Sequence, residues 1–309
     1  MISSRKCQEL SPKEIFHWIE EKKSFYLIDT LLDDHYSKIR LPGAVNVCVF
    51  QVTFMDQIKA ITADKDATIV LYGSSSKSMD AITAAEKLHE NGYGQVHVLK
   101  GGIESWRNAG YPLAGEAIDA PYDAGTLLSL ENRSYRVDTE QSTIEWRGRN
   151  PNNTHFGNVR ISKGELTVKD GIITGTFDID MDSITNINLE GNELQPVLIA
   201  HLKSDDFFLT RLFPKAVFSI RNATPIASPF LSIPNYHVNG SLQIRGVKAE
   251  QDFMATITKT SENGLAAEAH FDIDRTRWGV IYGSARFFEC LGMHLVFDLI
   301  SFQVRIIAY

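Results

Sequence analysis

The chain has 309 residues, about twice the ~150 of an average domain, so two domains are expected, each long enough to bury its own core. With 43% hydrophobic and 22% charged residues, it is not disordered, collagen-like or a coiled coil. Its 31 basic and 38 acidic residues give a net charge of −7, and without Lys/Arg runs the chain lacks the positive surface a nucleic-acid partner requires.

The N-terminal residues carry charge with no apolar stretch behind them, so no secretory leader is expected. No run approaches the ~18 apolar residues of a membrane span. A soluble, cytoplasmic protein is the expectation. Ser11, Pro12 and Glu14 form a helix start ahead of the apolar stripe Ile15, Trp18 and Ile19. Short apolar strands follow at Phe25–Asp29, Thr68–Tyr72 and Val96–Leu99, separated by an alanine-rich helical segment between Met79 and His89. A further helix carries Trp106 after Gly101-Gly102. Buried strands alternating with helices predict a mainly parallel sheet covered on both faces.

From Tyr135 the pattern changes to period two. Phe177, Ile179 and Met181 alternate with aspartates, and Ile300, Phe302, Val304 and Ile306 alternate with polar residues. Such strands, separated by Gly, Asn and Asp turns, predict an antiparallel sandwich or closed barrel. The expected division is a first domain at 1–115, a linker at 116–134 and a second domain at 135–309.

Leu27-Ile28-Asp29, Leu41-Pro42-Gly43-Ala44-Val45-Asn46-Val47, Ile69-Val70-Leu71-Tyr72 and Gly101-Gly102-Ile103-Glu104-Ser105-Trp106 come in the order and spacing of a rhodanese-like domain. The first half resembles that family over nearly its whole length. The resemblance implies an α/β fold and a cysteine directly after the strand tyrosine, where a thiolate ringed by backbone N–H groups attacks a sulfane sulfur. Gly73 stands at that position, and Leu31 replaces an arginine frequent after the Leu-Ile-Asp strand. No catalytic residue is therefore expected. The rival is sulfurtransfer through a relocated cysteine, Cys48 or Cys7, although Cys48 in its apolar surroundings reads as a buried strand hydrophobe. The loop Gly73, Ser74, Ser75, Ser76, Lys77 and Ser78, ahead of a helix, is a candidate anion cradle. The competing reading is a solvated polar loop.

In the second half, His201-Leu202-Lys203-Ser204-Asp205-Asp206-Phe207-Phe208, Phe213-Pro214-Lys215-Ala216-Val217-Phe218, Val238-Asn239-Gly240-Ser241-Leu242-Gln243 and Ile273-Asp274-Arg275-Thr276-Arg277-Trp278-Gly279 stand out. They make residues 135–309 resemble the YceI-like family of lipocalin-like barrels. The resemblance implies an eight-stranded antiparallel barrel that houses a polyisoprenoid such as a quinone tail, and pairing into a homodimer. Trp146, Phe156, Phe177, Phe218, Leu242, Phe271 and Phe302 are the expected wall residues. His201, Arg277, Tyr282 and Arg286 are expected near a polar mouth, where an arginine would meet a carbonyl or phosphate head. Two alternatives stay open: His201 and Arg277 brace the barrel, and side chains fill the interior.

Asp178, Asp180 and Asp182 imitate an EF-hand start, but Ser183 and Leu189 replace its glycine and bidentate glutamate. No metal site is expected, and no cofactor beyond a bound isoprenoid or quinone. The leading expectation is a non-enzymatic binder or carrier of an isoprenoid lipid, joined to an inactive rhodanese-like module for interaction or anion sensing.

Overall fold

A computed structural model describes residues 8–119, 128–226 and 230–309. The chain divides into two compact units, residues 1–124 and 125–309. Cys7 lies outside the described residues.

The first unit runs β1 (Gln8–Leu10), α1 (Pro12–Glu20), β2 (Tyr26–Asp29), α2 (Asp33–Lys38), β3 (Val45–Asn46), α3 (Phe54–Ile61), β4 (Ile69–Tyr72), α4 (Asp80–Glu90), β5 (Val96–Leu99) and α5 (Gly102–Asn108). The five strands form one parallel sheet in the order β1-β5-β4-β2-β3. Helix α1 begins with the expected capping box. The Glu14 N–H donates to Ser11 Oγ at 3.3 Å, and the Ser11 N–H donates to the Glu14 carboxylate at 2.7 Å. Because strand side chains alternate, Ile28, Leu71 and Val98 pack with Phe54 and Ile58 of α3 and Ala84 and Leu88 of α4. Leu27, Val70 and Leu99 pack with Ile15 of α1 and Ile103 and Trp106 of α5. Both sheet faces are thereby covered, as the continuous apolar strands require. Cys48 is buried as expected, but just beyond β3 and not within a strand.

The second unit contains β6 (Ser134–Arg136), β7 (Thr143–Arg149), β8 (Thr154–Lys169), β9 (Ile172–Asp180), α6 (Leu194–Lys203), β10 (Lys215–Pro225), β11 (Tyr236–Ile244), β12 (Val247–Lys259), β13 (Leu265–Asp274) and β14 (Leu299–Ala308). Eight antiparallel strands close on themselves in the order β8-β7-β14-β13-β12-β11-β10-β9, and β9 pairs back onto β8. Strand β6 adds to the β8 edge. Two hairpins turn through two residues with positive φ, Asp170-Gly171 and Arg245-Gly246. That conformation suits the twist of the flanking strands.

Closure is incomplete at one place. Strand β9 pairs with β8 only along residues 160–169. Residues 184–188 cover the rest of that edge, where the Thr185 and Ile187 N–H groups donate to Asn158 and Phe156 carbonyls, both at 2.9 Å. Gly157 permits this approach, because a β-carbon there would collide with the Thr185 carbonyl. Among the described residues no helix is long and apolar enough to cross a membrane.

Candidate functional site

In the first unit the residues of interest gather at the carboxyl ends of β2 and β4, where open α/β sheets usually place their ligand sites. Asp29 ends β2, and Tyr72 directly opposite ends β4. Asp29 is fully buried, and burial pushes its carboxyl up to about 6. Its Oδ1 accepts the Leu31 N–H at 2.8 Å. The loop from Gly73 to Ser78 then leads into α4. Its donors converge on an internal anion, the Asp80 carboxylate. The Ser74 N–H and hydroxyl donate to Asp80 Oδ2 at 3.4 and 3.2 Å, and so does the Ser78 hydroxyl. The carbonyls of Gly73 and Ser74 accept the N–H groups of Ile103 and Glu104 in α5 at 2.9 and 3.1 Å. Ser75 turns back on the loop, its hydroxyl accepting the Lys77 N–H at 3.2 Å. Within the candidate cradle Asp80 thus engages Ser74 and Ser78, leaving Ser75, Ser76 and Lys77 as the residues that would face an incoming anion. Cys48 is 1% exposed, so its thiol has no path to a solvent-borne sulfur donor.

The second unit contains a cavity of about 380 Å³ that opens to solvent at one part of its wall, within the ~300–1,000 Å³ range of ligand pockets. The inward positions of the strands line it. Trp146, Phe177, Phe218, Leu242, Phe271 and Phe302 all face it, as expected from the sequence. Phe253 joins them. Its ring stacks on Phe271 at 4.1 Å between centroids, and the series continues to Phe302 at 5.9 Å. On the other side Phe253 lies 5.7 Å from Phe218, and Phe218 lies 6.4 Å from Phe177. Five phenylalanines thus make an aromatic belt around the barrel wall. Gly240 allows it to pass, since a β-carbon there would come within 3.1 Å of the Phe218 ring. Ala216, Ala223, Ala255, Ala267 and Ala269 also face inward, and their short side chains leave the space unfilled.

Phe156 does not belong to this wall. It sits one position out of phase with inward His155 and Val159, and it faces outward beneath the Arg147 guanidinium at 5.4 Å. Of the four expected mouth residues, His201 and Tyr282 line the cavity, their rings crossing edge to face at 4.7 Å. His201 Nε2 lies 3.0 Å from the Asp206 carboxylate, and the Tyr282 hydroxyl lies 3.2 Å from His294 Nδ1. Arg277 and Arg286 are elsewhere. Arg277 donates to the Glu250 carbonyl on the outer side of β12, and Arg286 pairs with Asp274 at 2.6 Å and Asp298 at 3.1 Å. The residue the sequence reading missed is Arg275, which reaches the cavity wall while almost fully buried. It donates to the carbonyls of Val280 (2.7 Å), Val296 (3.0 Å) and Phe297 (3.1 Å), and to Asp298 at 3.4 Å. Burial lowers its guanidinium from the ordinary arginine value, against the pull of Asp298 and Asp274. Arg275 therefore ties residues 280–298 over the barrel end, a structural task that occupies four of its five N–H donors. Arg149, also on the wall, donates to Ser301 Oγ at 2.9 Å.

Comparison with known proteins matches residues 135–308 to the model of the YceI-like domain and residues 11–109 to the model of the rhodanese-like domain. A provisionally named thiosulfate sulfurtransferase of Synechococcus elongatus is 26% identical over 121 residues, covering 34% of this chain and 37% of its own length. This chain thus spans little more than a third of that relative. The crystal structure of Burkholderia cenocepacia BcnA is 17% identical and covers 56% of this chain and 99% of its own, with a TM-score of 0.45. A polyisoprenoid binding domain from Saccharophagus degradans is 13% identical and covers 56% of this chain and 97% of its own, with a TM-score of 0.39.

Proposed function

The chain belongs to the YceI-like family, and on that premise we propose that its barrel binds or carries an isoprenoid lipid, of the quinone or polyprenyl kind. The observation that carries the reading is the apolar cavity with its phenylalanine belt. Transfer of an isoprenoid chain from water into such a space is favourable by about 25 cal/mol per Å² of apolar area buried. Arg275 is tied to protein carbonyls and to Asp298, whereas the Arg149 side chain on the same wall donates, among the described residues, only to Ser301 and keeps donors for a carbonyl or phosphate head. The first unit, in this reading, is an interaction module without sulfur transfer. Gly73 follows the strand tyrosine, Asp80 occupies the loop and Cys48 is buried, all of which favour that assignment.

Native mass spectrometry of the freshly purified full chain, followed by organic extraction, tests the reading. An added mass released as an isoprenoid supports it. Protein that carries no lipid and takes up no added quinone or prenyl alcohol sinks it. The named sulfurtransferase relative makes thiosulfate-to-cyanide turnover a necessary second assay, with no turnover expected.

A further inference from the structure

Gln251 is the one residue of β12 whose inward side chain ends in an amide, between inward Ala249 and inward Phe253. It is 9% exposed and lines the cavity, while its neighbours Glu250 and Asp252 point to solvent. Its Oε1 is buried without a hydrogen-bond partner among the described residues. Opposite it on β11 stands Gly240, which supplies no side chain to meet the amide. Trp278 Nε1 donates to the Leu242 carbonyl at 2.8 Å, and Arg277 donates to the Glu250 carbonyl.

A buried amide oxygen left unpaired costs about 1–3 kcal/mol, and replacement by an apolar side chain of similar size would remove that cost. Such a group, on an inward side chain among phenylalanine, alanine and isoleucine, is an unused hydrogen-bond acceptor that a turn of the Gln251 side chain presents to the contents of the cavity. We propose that Gln251 is the specificity-determining residue of the barrel, its amide oxygen accepting a hydrogen bond from the hydroxyl of an isoprenoid alcohol. This rests on the lipid-binding reading above and adds to it a preference among isoprenoids. A ligand with the hydroxyl satisfies Oε1; the same chain with the hydroxyl capped leaves it unpaired and is discriminated against. It also gives the ligand a direction, with its polar end at the level of Gln251 beside the belt and its tail along the apolar remainder.

The full chain is titrated with geranylgeraniol and with geranylgeranyl methyl ether, following tryptophan fluorescence. Trp146 and Trp278 on the cavity wall supply the signal. The alcohol is expected to bind about tenfold more tightly than the ether. In Gln251→Leu the two should bind alike, and Gln251→Met should repeat that result with a more flexible side chain. Equal binding by the unmodified protein, or a preference that survives in both variants, overturns the proposal and leaves the lipid-binding reading standing. Failure of both ligands to bind the unmodified protein overturns both. The ligand-free variants give an independent readout. Their melting temperatures should equal or exceed that of the unmodified protein, because a buried acceptor without a partner has been removed. A clear drop in both would mean that a resident water or protein group already satisfies the amide, and that also overturns the proposal.

Discussion

A β-carbon on Gly73 would stand 2.9 Å from the β-carbon of Asp80 and 3.0 Å from its Oδ2. The loop is thus shaped around a carboxylate and has no room for a larger side chain at its first position. Placing a cysteine there alone should not confer sulfur transfer. Gly73→Cys is expected to show no thiosulfate-to-cyanide turnover above the unmodified protein, and to lose about 1–3 kcal/mol of stability in the first unit through overpacking. Turnover that appears with the single change would contradict this account of the loop.

Much of the architecture is legible in the sequence because it depends on local chemistry. The Ser11–Glu14 box starts α1, and the period-two runs around Phe177 and Phe302 mark inward and outward faces correctly. Phe156 lies outside the wall, as its phase relative to Val159 and Ile161 dictates, although its residue type alone suggests an inward ring. The arginines failed for another reason. Phe271 and Ile273 set an inward phase that reaches Arg275, but the chain then enters a 3-10 turn, Arg275–Trp278, and the two-residue period ends. Arg277 consequently leaves the face that a continued strand would have given it. The role of Asp80 was invisible for a third reason. Nothing in the sequence ranks an internal carboxylate above an external anion as the partner of Ser74 and Ser78.

Asp29 should give the first unit a distinct pH response. Burial raises its carboxyl from 3.8 to about 6, so the folded unit holds a proton that the unfolded chain releases. The corresponding stability is full below pH ~4 and is lost as pH rises through about 6, a change on the order of 3 kcal/mol. His35 and His97, both lowered by burial, act in the opposite sense and lose stability as pH falls. The difference between the unmodified protein and Asp29→Asn isolates the carboxyl. The variant should unfold at higher denaturant than the unmodified protein at pH 7, with the gap closing towards pH 4.

Arg275 should matter more to the barrel end than its absence from the expected site residues would imply. Arg275→Met leaves the Val280, Val296 and Phe297 carbonyls and Asp298 without their buried donor. A loss of about 3–5 kcal/mol is expected, with amide hydrogen exchange accelerated across residues 279–298. Exchange confined to its original rate there would show that the segment is held by other contacts.

Ala269, inward on β13 and paired with Ala255 of β12, offers a way to fill the cavity without touching its mouth. Ala269→Phe should place a ring into the open volume and reduce isoprenoid uptake at least tenfold, while the circular dichroism of the barrel is kept. Undiminished uptake by a folded variant would locate the lipid elsewhere.

The alanine-lined space has a mechanical consequence. Unfolding abolishes internal void, so hydrostatic pressure favours the unfolded state in proportion to the volume removed. Apolar walls leave such a space poorly hydrated, so with about 380 Å³ of it between the strands the second unit should be the more compressible and pressure-sensitive part of the chain. A hydrocarbon tail packed along the phenylalanine belt would stiffen it, making resistance to pressure a direct gauge of occupancy.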